Sequence, residues 1–527
     1  MSISAQWLPV SIFMPALLAA LGLIIIQVGH NRRPSLQFAL ALIGVLLNLV
    51  ISLLLLVTTL GGTRLVYQMG LFIAPFGITI FADGLSTIML TLTGILALAT
   101  VLYAGGTLDA RRYLDFYPLL LFLLMGVNGA FLAGDIFNLY VFFEVLLVAS
   151  FALLTLGGQI GQINGGIRYM VLNLLASSVF VATAGLIYGT VGTLNMAHIA
   201  ERLPDAPRSI QLTIAGLLLL TYGSKAGLFP VFFWLPASYH TPHPAVTAFF
   251  GGLLTKVGIY ALFRIFPLFF PAIFQEWQTL ILTIAGLTMV TGVFGAMAVN
   301  TIRRVLSFHI ISQVGYMVMG LGLAASADPV VAAFGMAAGI LYLTHHMIVK
   351  TALLMAGGAA ELVVGSGSLL RNRLAGIRQI SPALAVIFFM SAMALAGMPP
   401  SSGFVSKLTL LQGAITSSRW VIAAVSLIVS LFTLMSMLRL WQAAFWGYPG
   451  TIGEELPSAE ITTTRRWLTL TPIALLLALS LAIGIMTGPF FAWSDVAAAQ
   501  VIDRAGYIQA VAPMDIIEYV GTTHVSE

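Results

Sequence analysis

Residues 222–236 read YGSKAGLFPVFFWLP, a lysine with two glycines and two prolines inside a long apolar run. A charged side chain at the centre of a spanning helix costs about 2.5–3.5 kcal/mol on insertion scales. Glycine and proline open helices, and backbone opened at membrane depth persists only where protein or water satisfies its polar groups. Gly223, Gly227 and Pro230 therefore predict a helix that loosens around Lys225 inside a bundle, away from lipid.

The surrounding chain supports that setting. Its 527 residues are 59% hydrophobic and 8% charged, against about 25% charged in a soluble domain. A run of about 20 apolar residues spans a bilayer as a helix, and such runs follow one another from Trp7 to Phe490. Residues 7–28 read as a spanning helix rather than a cleaved leader, with no basic residue ahead of them and no A-x-A-like site. Cysteine is absent, which excludes disulfides, thiolate metal sites, Cys-ligated iron–sulfur clusters and covalent c-type haem; no cofactor is expected. The net charge of +5 sits in short loops and is no nucleic-acid signal.

The hydrophobic runs predict an all-α integral membrane protein of about fourteen helices, near 7–28, 36–60, 78–104, 113–133, 135–156, 167–190, 209–240, 243–266, 272–299, 303–324, 329–357, 381–417, 419–446 and 467–490. The seventh and twelfth are too long and too rich in Gly and Pro to be straight. Residues 491–527 read as a surface tail. Cytoplasmic loops carry the excess of Lys and Arg. With the N-terminus outside, the inner loops receive thirteen arginines, namely 32, 33, 111, 112, 168, 303, 304, 371, 373, 378, 439, 465 and 466, and the outer side six, which places both termini outside.

The basic residues divide by type. All nineteen arginines are read as lying in or beside loops, whereas all four lysines, Lys225, Lys256, Lys350 and Lys407, fall within hydrophobic segments. Arginine holds its proton, and a desolvated lysine gives it up near neutral pH. The division fits titratable cations indoors; the competing account is chance placement or snorkelling to an interface, strongest for Lys350.

Glu144, in GDIFNLYVFFEVLLVASFALLTLGG (134–158), is the one clearly intramembrane carboxylate in this reading, and a neighbouring glutamate would keep Lys225 charged. Glu144 and Lys225 are the candidate coupled pair; a static ion pair that only fixes packing is the alternative. The twelfth run repeats the opened design as AGMPPSSGFVSK (396–407), with Pro399, Pro400, Ser401 and Ser402 ahead of Lys407. Interrupted helices in opposed halves mark transport paths, although a lone proline kink is common. In YLTHHMIVKTALL (342–354), His346 and Lys350 stand one turn apart on one face and suit a proton relay, while His345 points elsewhere. His240 and His243 in SYHTPHPAV fit proton access or bonds within a turn equally well. His309 reads as a structural hydrogen bonder. No zinc motif occurs.

These motifs resemble the antiporter-like proton-translocating subunits shared by respiratory complex I and the multisubunit Mrp-type cation/proton antiporters. The resemblance covers roughly residues 80–445. It rests on Glu144, SKAGLFPVFFWLPASYHTPHPAVTAFFGGLLTKVGIYAL, RRVLSFHIISQVGYM, HHMIVKTALL and GMPPSSGFVSK, and the Glu144 block and His309 favour the D-type members of the Mrp complex. The resemblance implies two inverted five-helix repeats with broken helices 7 and 12. These would occupy 113–266 and 267–446, after an N-terminal three-helix segment, 1–112, and before a last helix and tail, 447–527. It implies Glu144 and Lys225 as the coupled pair, Lys256 as central relay, His346 and Lys350 as the connecting element and Lys407 as terminal residue, with His345 counted among the proton-transfer residues. It also implies partner membrane subunits, protons as cargo, Na+ carried through the complex, and a bacterial inner membrane. The chain lacks the long C-terminal extension of the largest members.

The function expected is a proton-translocating subunit of a Na+/proton antiporter and not an enzyme. Its rivals are an M- or N-type proton-pumping subunit of NADH-quinone oxidoreductase, a stand-alone secondary transporter, and a structural scaffold.

Overall fold

The computed structural model describes residues 4–28, 34–109, 113, 115–369, 376–446 and 463–511. Arg32, Arg33, Arg111, Arg112, Arg371 and Arg373 of the loop count, and the tail beyond residue 511, lie outside the described residues. The chain begins with α1 (Trp7–Val28) and α2 (Pro34–Leu60), then an antiparallel hairpin of β1 (Leu65–Gln68) and β2 (Thr79–Ala82), then α3 (Gly84–Thr107). Next come α4 (Phe116–Leu132), α5 (Ile136–Thr155), α6 (Ile160–Val191), α7 (Met196–Arg202), α8 (Arg208–Ala226), α9 (Trp234–Ser238) and α10 (Pro244–Phe269). The remainder is α11 (Pro271–Glu276), α12 (Gln278–Ala298), α13 (Ile302–Ala324), α14 (Pro329–Val364), α15 (Ile377–Ile380), α16 (Pro382–Ala396), α17 (Ser402–Thr416), α18 (Trp420–Ala444), α19 (Thr463–Ile485), α20 (Thr487–Ile502) and α21 (Arg504–Val511). Among the described residues, eleven helices are long and apolar enough to cross a membrane, and α4 and α16 are shorter apolar helices.

Two stretches of chain are built alike. The start of α5 is tied to the segment after α6 by Ile136 N–H to Leu194 O and Met196 N–H to Gly134 O. The start of α13 is tied to the segment after α14 by Ile302 N–H to Gly367 O and Leu369 N–H to Asn300 O. Each stretch then runs into an interrupted helix. The helix pair α8/α9 breaks at Ala226-Gly227-Leu228-Phe229-Pro230, and α16/α17 breaks at Ala396-Gly397-Met398-Pro399-Pro400. Gly227 (φ 79°) and Gly397 (φ 96°) close the first half-helices in the left-handed region, where a side chain is strained. The next residue's N–H returns to the carbonyl of Gly223 in one and Met393 in the other, so both ends are capped alike.

The helix α14 lies at the centre, packed against α3, α10, α13, α16, α17, α19 and α20. Small residues set these approaches. A β-carbon at Gly252 of α10 would fall 2.0 Å from Thr351 Oγ1 of α14, so these two backbones meet only because that position is glycine.

Three expectations change. The third helix begins at Gly84 rather than near 78, because Asp83 caps it: its carboxylate accepts Ser86 N–H at 3.1 Å, and Ser86 Oγ accepts Asp83 N–H at 2.8 Å. The residues before it pair as β2 instead. The stretch after 490 is not simply a surface tail. Helix α20 packs on α3 and α14, and Gln500 joins Gly84 N–H (2.6 Å) to Thr59 O (3.1 Å). Asp503 follows, its carboxyl held below the ordinary range by the Gly506 N–H and the Arg64 guanidinium. Finally, not every arginine sits beside a loop. Arg264 lies inside α10, 3% exposed, and grips Asp83 through both terminal nitrogens at 2.7 and 2.6 Å. Asp83 is itself fully buried, so Glu144 is not the sole interior carboxylate.

Removing one member of a buried ion pair strands the other charge, at about 3–5 kcal/mol, whereas replacing both by apolar groups is often neutral. Asp83→Asn is expected to lower the melting temperature of the purified complex markedly. The paired change Asp83→Leu with Arg264→Met is expected to restore most of the loss in the same thermal scan.

Candidate functional site

The interior polar groups form three clusters, each placed by one of the elements above. The first surrounds Lys225, in the last turn of α8 and 6% exposed. Its Nζ donates to Ser177 Oγ of α6 at 2.9 Å and lies 4.8 Å from the centre of the Phe143 ring of α5. Trp234 of α9 reaches back across the break, its indole N–H donating to Ser224 O at 2.9 Å, and so fixes the half-helices around the lysine. A cavity of about 10 Å³ bounded by Lys225, Tyr169, Asn173 and Tyr239 lies alongside, room for about one water.

Glu144, next to Phe143 on α5, is within electrostatic range of Lys225. The two make no direct ion pair: those among the described residues are Arg64–Asp503, Arg208–Glu276, Asp83–Arg264 and Arg303–Glu361. Lys225 takes the serine instead, and Glu144 Oε1 is buried without a protein partner.

The second cluster lies where α10 meets α14. Lys256, His346 and Lys350 are all fully buried. Lys256 Nζ donates to Gly251 O of its own helix at 2.6 Å. Both ring nitrogens of His346 and Nζ of Lys350 have no protein hydrogen-bond partner. His346 lies within electrostatic reach of Lys256 and Lys350, and Lys256 within that of Lys350. An ammonium left without acceptors in such a place costs several kcal/mol. Apart from the Gly251 carbonyl, the described residues offer these three groups no hydrogen-bond acceptor, an arrangement in which a charge is weakly held.

The third cluster surrounds the second break. His345, on the other side of α14 from this group, meets Ser402 Oγ at 2.7 Å, which meets Ser480 Oγ of α19 at 2.7 Å. A β-carbon at Gly403 would stand 2.8 Å from His345 Cε1 and 1.9 Å from Ala394 O, so glycine lets α17 close on the histidine. Lys407 Nζ donates to Ala396 O, at the carbonyl end of α16, at 3.0 Å and lies 5.0 Å from the Tyr316 ring centre. Helix carbonyl ends favour cations, and both interrupted helices bring a lysine to such an end.

The three other histidines that the sequence singled out also have protein partners. His240 Nδ1 meets Pro236 O at 2.9 Å, and His243 Nδ1 accepts Ala245 N–H at 3.2 Å, so both bond within their turn. His309 Nε2 meets Ser436 Oγ at 2.9 Å. Sequence reasoning missed Ser177, Tyr169, Ser402 as a histidine partner, and Ser480. Serines in membrane helices carry no distinguishing pattern, and the tyrosine reads as one more aromatic, so nothing marked these four. Arg264 did leave a trace, since Lys256, Tyr260 and Arg264 recur at one-turn intervals along α10.

The chain is similar to known membrane proteins over most of its length. Residues 133–433 match the transmembrane family described as NADH:quinone oxidoreductase/Mrp antiporter. A protein of Alkalihalophilus pseudofirmus, named as the D subunit of a Na(+)/H(+) antiporter, is 42% identical over 482 residues, 91% of this chain and 95% of that one. A chain of the Mrp complex from Dietzia sp. DQ12-45-1b superposes with a TM-score of 0.87 at 32% identity, covering 96% of this chain and 99% of that one. A chain of the membrane-bound sulfane sulfur reductase, an archaeal respiratory membrane complex, superposes with a TM-score of 0.85 at 26% identity, with the same coverage.

Ser177 supplies the one protein hydrogen bond to the Lys225 amine. A bond to a charged group contributes about 1.5–3 kcal/mol, so Ser177→Ala is expected to slow proton movement that passes through Lys225 by about ten- to a hundredfold. Ser177→Thr, which keeps the hydroxyl, is expected to restore it. Proton uptake by vesicles containing the intact complex checks both.

Proposed function

Because this chain belongs to the NADH:quinone oxidoreductase/Mrp antiporter membrane family, we propose that Glu144, Lys225, Lys256, His345, His346, Lys350 and Lys407 carry protons through it. The chain is a multi-pass membrane protein and part of a multisubunit Na+/H+ antiporter, whose partners are other membrane subunits. Its role is transport, in a family shared with complex I, and its chemistry is limited to moving protons.

The observation that carries the proposal is the series of amines and imidazoles, buried from α8 through α10 and α14 and ending at the half-buried Lys407 of α17, with unpartnered polar atoms at its middle. Neutralising Glu144 removes the charge that holds a proton on Lys225. That proton leaves toward Lys256 and passes by water to His346 and Lys350, then beyond α14 to Lys407, with His345 and Ser402 lining the last stage. Each arriving charge repels the next, so occupancy advances along the line.

The proposal extends to the frame. The repeats occupy 113–266 and 267–446, between an N-terminal segment, 1–112, and the terminal region, 447–527; the matched bridges and capped breaks support this division. The membrane is the bacterial cell membrane with both termini outside, as the arginine distribution favours. The likeness to a chain of an archaeal respiratory complex supports a second reading, the same proton line driven by redox chemistry elsewhere in an assembly. Iron–sulfur proteins that co-purify with the chain would establish that reading.

Purified complex carrying Glu144→Gln or Lys225→Ala is expected to lose proton movement driven by a Na+ gradient in proteoliposomes while still assembling. Transport at the normal rate in either variant contradicts the proposal.

A further inference from the structure

Helices α12 and α18 leave a recess of about 490 Å³ between them. Its walls are apolar, from Leu282, Leu287 and Val290 on one side and Ile422 and Val425 on the other. Gly286 forms its floor: a β-carbon there would already stand 3.4 Å from Ile422 Cδ1, so any longer side chain would enter the space. The rim is open, with Trp420 62% and Val421 81% exposed.

One end of the recess is polar. Arg419, in the turn before α18, lines it and makes one hydrogen bond, from a terminal nitrogen to Gln278 Oε1. A guanidinium has five N–H donors, so most of its capacity is unspent. Gln278, 6% exposed, holds its Nε2 buried without an acceptor. The carboxylate nearest along this chain, Glu276, is paired with Arg208 and does not oppose an incoming anion. Arginine and tryptophan at the start of a spanning helix belong at the headgroup level of a bilayer.

We propose that this recess binds one anionic phospholipid, its phosphate on Arg419 and an acyl chain along Gly286. The shape favours lipid over a partner's helix. At its floor, where a β-carbon on Gly286 would already stand 3.4 Å from Ile422 Cδ1, the space suits one acyl chain rather than a helix about 10–12 Å across. The charge favours an anionic headgroup, since a planar guanidinium pairs with phosphate through parallel bonds, and a zwitterionic headgroup would bring its own cation to the same end.

The test compares purified intact complex with complexes carrying Arg419→Gln, Arg419→Lys or Gly286→Leu, each stripped of lipid and titrated with phosphatidylglycerol or phosphatidylcholine. Bound lipid is counted by native mass spectrometry. Unmodified complex and Arg419→Lys are expected to hold one more phosphatidylglycerol than the other two. The preference over phosphatidylcholine is expected to be about fivefold, and to vanish in Arg419→Gln. Equal counts and equal preference in all four overturn the proposal. So does loss of a partner subunit from Gly286→Leu without a change in lipid, which would make the recess a contact between subunits.

Discussion

An amine inside a bilayer must find an acceptor, a counter-charge or water, or give up its proton. The architecture follows from how each of four lysines meets that demand. Lys225 has a serine, the face of a phenylalanine and a glutamate within electrostatic range. Lys256 has one carbonyl of its own helix, and Lys407 the carbonyl end of α16. Lys350 has no partner from the protein. The amines are thus held by weak, neutral groups or by none, and neutral partners let a proton leave where a tight carboxylate would keep it.

The contrast with Arg264 shows that the fold builds tight pairs where it uses them. Arg264 and Asp83 are buried like Lys225, Lys256 and Lys350, yet they are joined by two short bonds, and Asp83 takes a further N–H from Ser86. Arginine keeps its charge at every relevant pH, and its partner also caps α3. That pair fastens α3 to α10. On the proposed proton line the interior cations are lysines, and the tightly paired interior cation is an arginine.

Much of this was legible in the sequence because cost is legible. Lysine, glycine and proline are the residues a membrane helix tolerates least, so AGLFP before one break and AGMPP before the other located both openings, and the one-turn spacing of His346 and Lys350 placed them together. Features without such a cost were hidden. The second strand of the β-hairpin before α3 reads as the start of an apolar helix, which hides the capping aspartate inside the run. The hydroxyls that meet Lys225 and His345 belong to serines indistinguishable from those that bond their own helix. Coupling of Glu144 with Lys225 is an expectation from charge, and the group within hydrogen-bond reach of the amine is the serine on α6. The packing of α20 depends on Gln500 meeting residues more than four hundred positions earlier, which no local pattern signals.

The central claim is that the middle of the line is wet. A density map of the intact complex at a resolution that shows ordered solvent tests it directly. The account predicts water within hydrogen-bond reach of the Lys350 amine and both His346 nitrogens, extending toward Lys256. Side chains packed around these atoms with no solvent density between them, in every conformation captured, would contradict it.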